Sequence, residues 1–126
     1  MPLSIQVTED RPGIFTVAPE GPIDSDTYFS LEQKLNSILN DTTKLVIFDM
    51  ARVIYISSMG LGVIFKTRGF LEGHGGSMII TNLQPQVKKV FDIIKALPQN
   101  IFQNMEEVDA YITQIQRKEI EKKKSF

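Results

Sequence analysis

The stretch LVIFDMARVIYISSMGLGVI, residues 45–64, decides the fold. It begins inside a compact, β-branched apolar run, KLVIFDMA at 44–51, which reads as a strand buried on both faces. ARVIYI then leads into Ser57 and Ser58, and Met59-Gly60-Leu61-Gly62 has the look of a helix start. A strand, a loop carrying two hydroxyls and a helix make one β-α unit.

The flanking sequence continues the alternation. Upstream, LSIQVTE places Leu3, Ile5 and Val7 at strand spacing, DRPG at 10–13 is a turn, and IFTVAPEG at 14–21 is a second strand stopped by Pro19, Gly21 and Pro22. IDSDTYFSLEQKLNSIL at 23–39 changes to helical period through Tyr28, Leu31, Leu35, Ile38 and Leu39. Asp24, Ser25 and Asp26 are its N-cap candidates, and NDTT ends it.

Downstream, GLGVIFKTRGFLEGHGG at 60–76 is a second helix closed by glycines, and SMIITNL at 77–83 is another buried strand. QPQVKKVFDIIKAL is a third helix, with Val87, Val90, Phe91 and Ile94 on one face and Pro85 in its first turn. NIFQ at 100–103 is a short extended piece. NMEEVDAYITQIQRKEIEKKKSF is a last amphipathic helix with Val108, Tyr111, Ile112 and Ile115 inward and a frayed basic end over 118–126. The expected class is α/β: a mixed sheet of about four to five strands, an N-terminal hairpin followed by β-α units, with about four helices. Residues 1–126 form one domain, and the serine loop follows the central strand at its carboxyl end, where open α/β sheets do their work.

Composition narrows the chemistry. With 42% hydrophobic and 23% charged residues the chain is typical of soluble globular proteins, and its net charge of -1 points to neither nucleic acid nor an anionic membrane. Absence of cysteine excludes disulfides and thiolate sites, and a single histidine excludes a His-rich metal site, so neither metal nor cofactor is expected. No run approaches the ~20 apolar residues of a membrane span. The N-terminus lacks the pattern of a signal peptide, so the expected location is the cytoplasm.

The serines admit three readings. Ser57 or Ser58 is an N-cap, which leaves Gly60 and Gly62 unexplained, since each helical glycine costs roughly 0.8–1.0 kcal/mol against alanine. A hydrolase nucleophile needs a base, but ISSMG lacks the first glycine of a G-x-S-x-G elbow, and His74 lies in a turn expected at the opposite end of the sheet. A modification site fits better: a phosphoryl group at a helix N-terminus meets free N–H groups, and the two glycines leave the backbone open to a docking enzyme. On the second helix Val63, Ile64, Thr67, Phe70 and Leu71 form an inward stripe, while Leu61, Phe65 and Arg68 form a second line. That line is either extra core or a binding face. As a binding face, Leu61 and Phe65 would join the loop from Asp24 to Thr27.

The sequence resembles the STAS domain family, specifically its stand-alone bacterial anti-sigma factor antagonists. EGPIDSDTY at 20–28 is similar to the family's G-x-[IL]-D-x-x-[ST] segment, and residues 45–64 to its signature of an apolar strand ending in Asp, a short loop and [DS]-[ST]-x-G-[LI]-G. IITNLQPQVKKVFDI resembles the strand and helix that follow. The resemblance implies a binding protein rather than an enzyme. In the family, the dephosphorylated antagonist binds an anti-sigma factor that is also a serine kinase of the histidine-kinase-like ATPase type, and so releases the sigma factor. Phosphorylation of the signature serine breaks the complex, and a PP2C-type phosphatase restores it. The matching serine is Ser58, expected at the N-terminus of the second helix, exposed and with its hydroxyl free, and Asp24 and Asp49 match the two acidic positions near the site. Asp24, Ser25, Thr27, Met59, Gly60, Leu61, Gly62 and Phe65 are the implied partner-binding residues. Two departures stand out: Ser57 replaces a frequent Asp, which makes it an alternative acceptor, and Met59 replaces a small residue. A STAS module in a non-sigma system, or one that binds nucleotide, is the alternative, although the chain has no G-x-x-x-x-G-K-[ST] loop. Direct contact with nucleic acid or membrane is not implied.

Overall fold

The computed structural model describes residues 2–96 and 105–124; the extended piece expected at 100–103 lies outside them. Strands β1 (Ser4–Arg11) and β2 (Ile14–Ile23) form the N-terminal hairpin, turning at Gly13 with φ +82°. Helix α1 (Tyr28–Asn36), β3 (Leu45–Asp49), β4 (Arg52–Ile56), α2 (Ser58–Gly73), β5 (Ser77–Thr81), α3 (Pro85–Ala96) and α4 (Met105–Lys124) follow. The sheet has five strands in the order β1-β2-β3-β5, with β4 also paired to β2. Among the described residues only the hairpin is antiparallel. The expected mixed α/β sheet with four helices is therefore the observed one.

Three details differ from the sequence reading. First, β2 runs through its prolines to Ile23. Its first half pairs β3 up to Val17, and its second half pairs β4 from Glu20. Pro19 falls in the gap between these ladders and Pro22 at the register shift beside Gly21, so neither has to donate to a parallel neighbour. Second, ARVIYI contains a strand of its own, β4, which continues the track of β3 after a break at Met50 and Ala51. Third, β3 is buried on one face only. Val46 and Phe48 face the helices, whereas Ile47 is half-buried and pairs with the exposed Ile79. The helices cover one face of the sheet, and β5 is likewise only partly buried.

The core lies between that face and the helices: Val17, Ile23, Phe48 and Ile56 from the sheet meet Leu31, Leu35, Ile64, Leu71, Val87 and Val90. Of the residues expected inward on α4, Ile112 is fully buried and Val108 and Ile115 pack on the core, but Tyr111 is exposed. The expected N-caps of α1 are displaced: Thr27 occupies that position, and Asp24 instead braces the turn before it. Helix α4 continues through the basic stretch to Lys124.

Candidate functional site

Strands β2 and β4 are parallel and end side by side, Ile23 beside Ile56. The Ser57 N–H donates to the Ile23 carbonyl at 2.8 Å, so the Asp24 loop and the serine loop leave the sheet together at its carboxyl end. Ser57 is the N-cap of α2: its extended backbone (φ -92°, ψ 173°) aims its Oγ to accept from the Gly60 N–H at 3.1 Å. The N-cap reading therefore describes Ser57.

Ser58 opens the helix and is 3% exposed, which overturns the expectation of an exposed serine. Its N–H donates to Asp109 Oδ1 of α4 at 2.7 Å. Its Oγ is buried without a hydrogen-bond partner. A hydroxyl in that condition costs about 1–3 kcal/mol against a paired one, so packing alone does not explain its presence.

Gly60 and Gly62 serve different ends. A Cβ on Gly60 would lie 2.7 Å from Ile23 Cγ2 and 3.0 Å from the Ile23 carbonyl, so this glycine lets α2 close onto the sheet. Access, the role expected of both glycines, fits Gly62 alone, where a Cβ would meet nothing within 4 Å. Leu61 is 4% exposed and belongs to the core, against its assignment to a partner face. Phe65 is 39% exposed, resting edge-on against Phe91 with ring centroids 6.1 Å apart. Met59 is half-buried. Gly62, Phe65 and Gly69 thus form a lightly covered strip on α2.

The Asp24 loop is self-braced. Asp24 Oδ1 accepts from the N–H groups of Asp26 (2.9 Å) and Thr27 (3.0 Å). Thr27 Oγ1 donates to the Pro22 carbonyl at 2.7 Å and is buried, leaving Ser25 and Asp26 exposed. Asp24, Ser25 and Ser57 line one open cleft of about 460 Å³ with Asp109, Thr113 and Arg117. Asp49 does not join them. It sits at the break between β3 and β4, where its Oδ1 accepts from the Ala51 N–H (3.1 Å) and Asn82 Nδ2 (3.1 Å). The five-residue strand β4 separates it from the serines, roughly 17 Å at about 3.3 Å per residue.

The carboxylate that does reach the serines, Asp109, belongs to a helix that the sequence reading placed only by its apolar face. Next to it, the Tyr55 hydroxyl and Thr113 Oγ1 are 2.7 Å apart. Gln116, 1% exposed, accepts from the Ile56 N–H and donates to the Ile56 carbonyl, both at 2.8 Å. The available signal was a glutamine inside an apolar stripe, one turn after Ile112. His74 C-caps α2 while Ser57 N-caps it, a separation of about 24 Å at about 1.5 Å per residue, so no serine–histidine dyad exists here. Among the described residues no group of three His, Cys, Asp or Glu side chains converges on a possible metal position.

The STAS domain profile matches residues 6–108. The chain belongs to the STAS domain family. BtrV of Bordetella bronchiseptica, to which an anti-sigma factor antagonist role is attributed, is 29% identical over 90 residues, 71% of this STAS chain and 78% of BtrV. The unphosphorylated anti-sigma factor antagonist SpoIIAA superimposes with a TM-score of 0.67 at 20% identity, covering 73% of this chain and 81% of SpoIIAA. Phosphorylated SpoIIAA from Bacillus gives 0.62 at 21% identity, covering 72% and 83%. An anti-sigma factor antagonist from Mycobacterium paratuberculosis gives 0.58 at 20% identity and covers 88% of this chain and 94% of its own. Asp109, Thr113 and Gln116 all follow the segment that the STAS profile matches. No described helix is long and apolar enough to cross a membrane.

Proposed function

We propose that this STAS chain is an anti-sigma factor antagonist that acts by switching partners. Unphosphorylated, it binds an anti-sigma factor that is also a serine kinase. The kinase moves the γ-phosphoryl group of ATP to Ser58 Oγ, the serine proton leaves, and the complex dissociates. A PP2C-type phosphatase hydrolyses the ester and restores binding. The chain is then a substrate of other enzymes, working where ATP is available, in the cytoplasm.

The observation that carries this reading is the Ser58 hydroxyl. It sits on the first residue of α2, beside the cleft at the carboxyl ends of β2 and β4, and makes no hydrogen bond. Ser57, by contrast, is committed to the helix cap. Phosphate at a helix N-terminus finds N–H donors and the positive end of the dipole. The relatives lend support: BtrV and SpoIIAA are both described as anti-sigma factor antagonists, and SpoIIAA exists in phosphorylated and unphosphorylated forms. The partner face is the exposed side of the site: Asp24, Ser25, Met59, Gly62 and Phe65.

The deciding experiment is intact-mass analysis after incubation with ATP and each serine kinase of the histidine-kinase-like ATPase type from the same organism. One phosphate is expected on the parent and on Ser57→Ala, and none on Ser58→Ala. Phosphate that survives Ser58→Ala and vanishes with Ser57→Ala moves the acceptor by one residue. No phosphate on either serine removes the mechanism.

A further inference from the structure

We propose that helix α4 is a latch over the phosphoacceptor: docked, it shields Ser58, and phosphate on Ser58 expels it. The proposal rests on reading Ser58 as the acceptor. In-line phosphoryl transfer needs a free approach to the serine Oγ. Ser58 is 3% exposed and its Oγ is buried, so the docked conformation offers none. The element that closes the site is identifiable by its bonds. Asp109 holds the Ser58 N–H, Thr113 meets the Tyr55 hydroxyl, and Gln116 takes both backbone groups of Ile56.

These contacts are polar and lie on consecutive turns of one helix face. The Ile56 N–H and carbonyl point away from β2, at the free edge of β4, and Gln116 covers them as a neighbouring strand would. Ile112, fully buried, lies on this same face one turn before Gln116, so the Asp109 end of the helix, ahead of that anchor, is the part that lets go of Ser58.

The Asp109 carboxylate already occupies the N–H group that a phosphate on Ser58 would seek. Two anions at one helix N-terminus repel, and the more highly charged phosphate, at about -1.5 to -2, displaces the carboxylate. By linkage the converse holds: whatever loosens α4 promotes phosphorylation. The serine therefore becomes available only in an open state of α4, and phosphate keeps that state open.

The chain contains no cysteine, so Ser58→Cys introduces a single thiol that reports access without any kinase. Its rate with an aromatic disulfide reagent is compared with that of Ser4→Cys on the exposed β1. The expected result is slow labelling at position 58, at least tenfold below position 4. Adding Asp109→Ala should accelerate position 58 by at least tenfold and leave position 4 unchanged. Thr113→Val gives a second, gentler release should Asp109→Ala impair folding. A low dependence of the position 58 rate on urea separates local release from global unfolding. Equal rates at positions 58 and 4 in the parent, or no acceleration in a folded latch variant, overturn the latch. In parallel, kinase should phosphorylate folded Asp109→Ala faster than the parent. Thiol gating with no phosphate on Ser58 refutes the acceptor assignment and leaves the latch; phosphorylation without thiol gating refutes the latch alone.

Discussion

The hydroxyl of Ser57 accepts from the Gly60 N–H, whereas the hydroxyl of Ser58, one peptide unit on, has no partner. Their removal should therefore act in opposite directions. Ser57→Ala deletes an N-cap and should destabilise the domain by about 1 kcal/mol. Ser58→Ala replaces an unsatisfied buried oxygen by a hydrogen atom and should leave stability unchanged or raise it by up to about 1 kcal/mol. Urea midpoints of the two variants, measured at equal m-values, test this; equal losses would mean that Ser58 Oγ has a structural role. The same logic redirects Leu61. At 4% exposure its replacement by Asp places a charge in the core, so Leu61→Asp should unfold the domain rather than detach a partner. Circular dichroism of that variant decides between the two outcomes.

Helix α2 joins these residues into one device. Gly60→Ala drives a Cβ to 2.7 Å from Ile23 Cγ2 and should destabilise the domain by about 1–3 kcal/mol, the usual range for overpacking. Gly62→Ala meets open space and should stabilise it by about 0.8–1.0 kcal/mol. If Gly62 is kept for access, that more stable variant should also bind its partner less well; a melt and a binding titration on one preparation give both numbers. The alternation of strands and helices was legible in the sequence because it is local: Leu3, Ile5 and Val7 mark one period and Val87, Val90, Phe91 and Ile94 the other. What escaped was set by neighbours. The burial of β3 depends on which face the helices cover, and the tolerance of Pro19 depends on a gap between two other strands. β4 was hidden because Val53 and Ile56 are buried while Ile54 is exposed at an edge that glutamines cover.

Across the whole molecule, the site is assembled from segments far apart in sequence. The serine loop was legible in the sequence, since a strand–serine–glycine–helix pattern is contiguous, but the role of Gly60 was not, because its contact with Ile23 comes from another strand. Asp109 was not, because its bond to Ser58 spans 51 positions and nothing local marks it. Phosphorylation should act on this assembly without reaching the sheet. The new charge of about -1.5 to -2 sits at the end of α2, outside the β1-β2-β3-β5 ladders and their core. Against a partner surface it must be either paired or buried, and burying it unpaired costs several kcal/mol. Since about 1.4 kcal/mol is tenfold in affinity, binding should fall by at least 100-fold. Hydrogen exchange should show the contrast directly: protection in β2 and β3 unchanged between the two forms, and protection lost in α4. Loss of protection across the sheet would mean that phosphate unfolds the domain. Unchanged protection in α4 would confine the switch to the serine itself, and the fall in affinity would then come from charge alone.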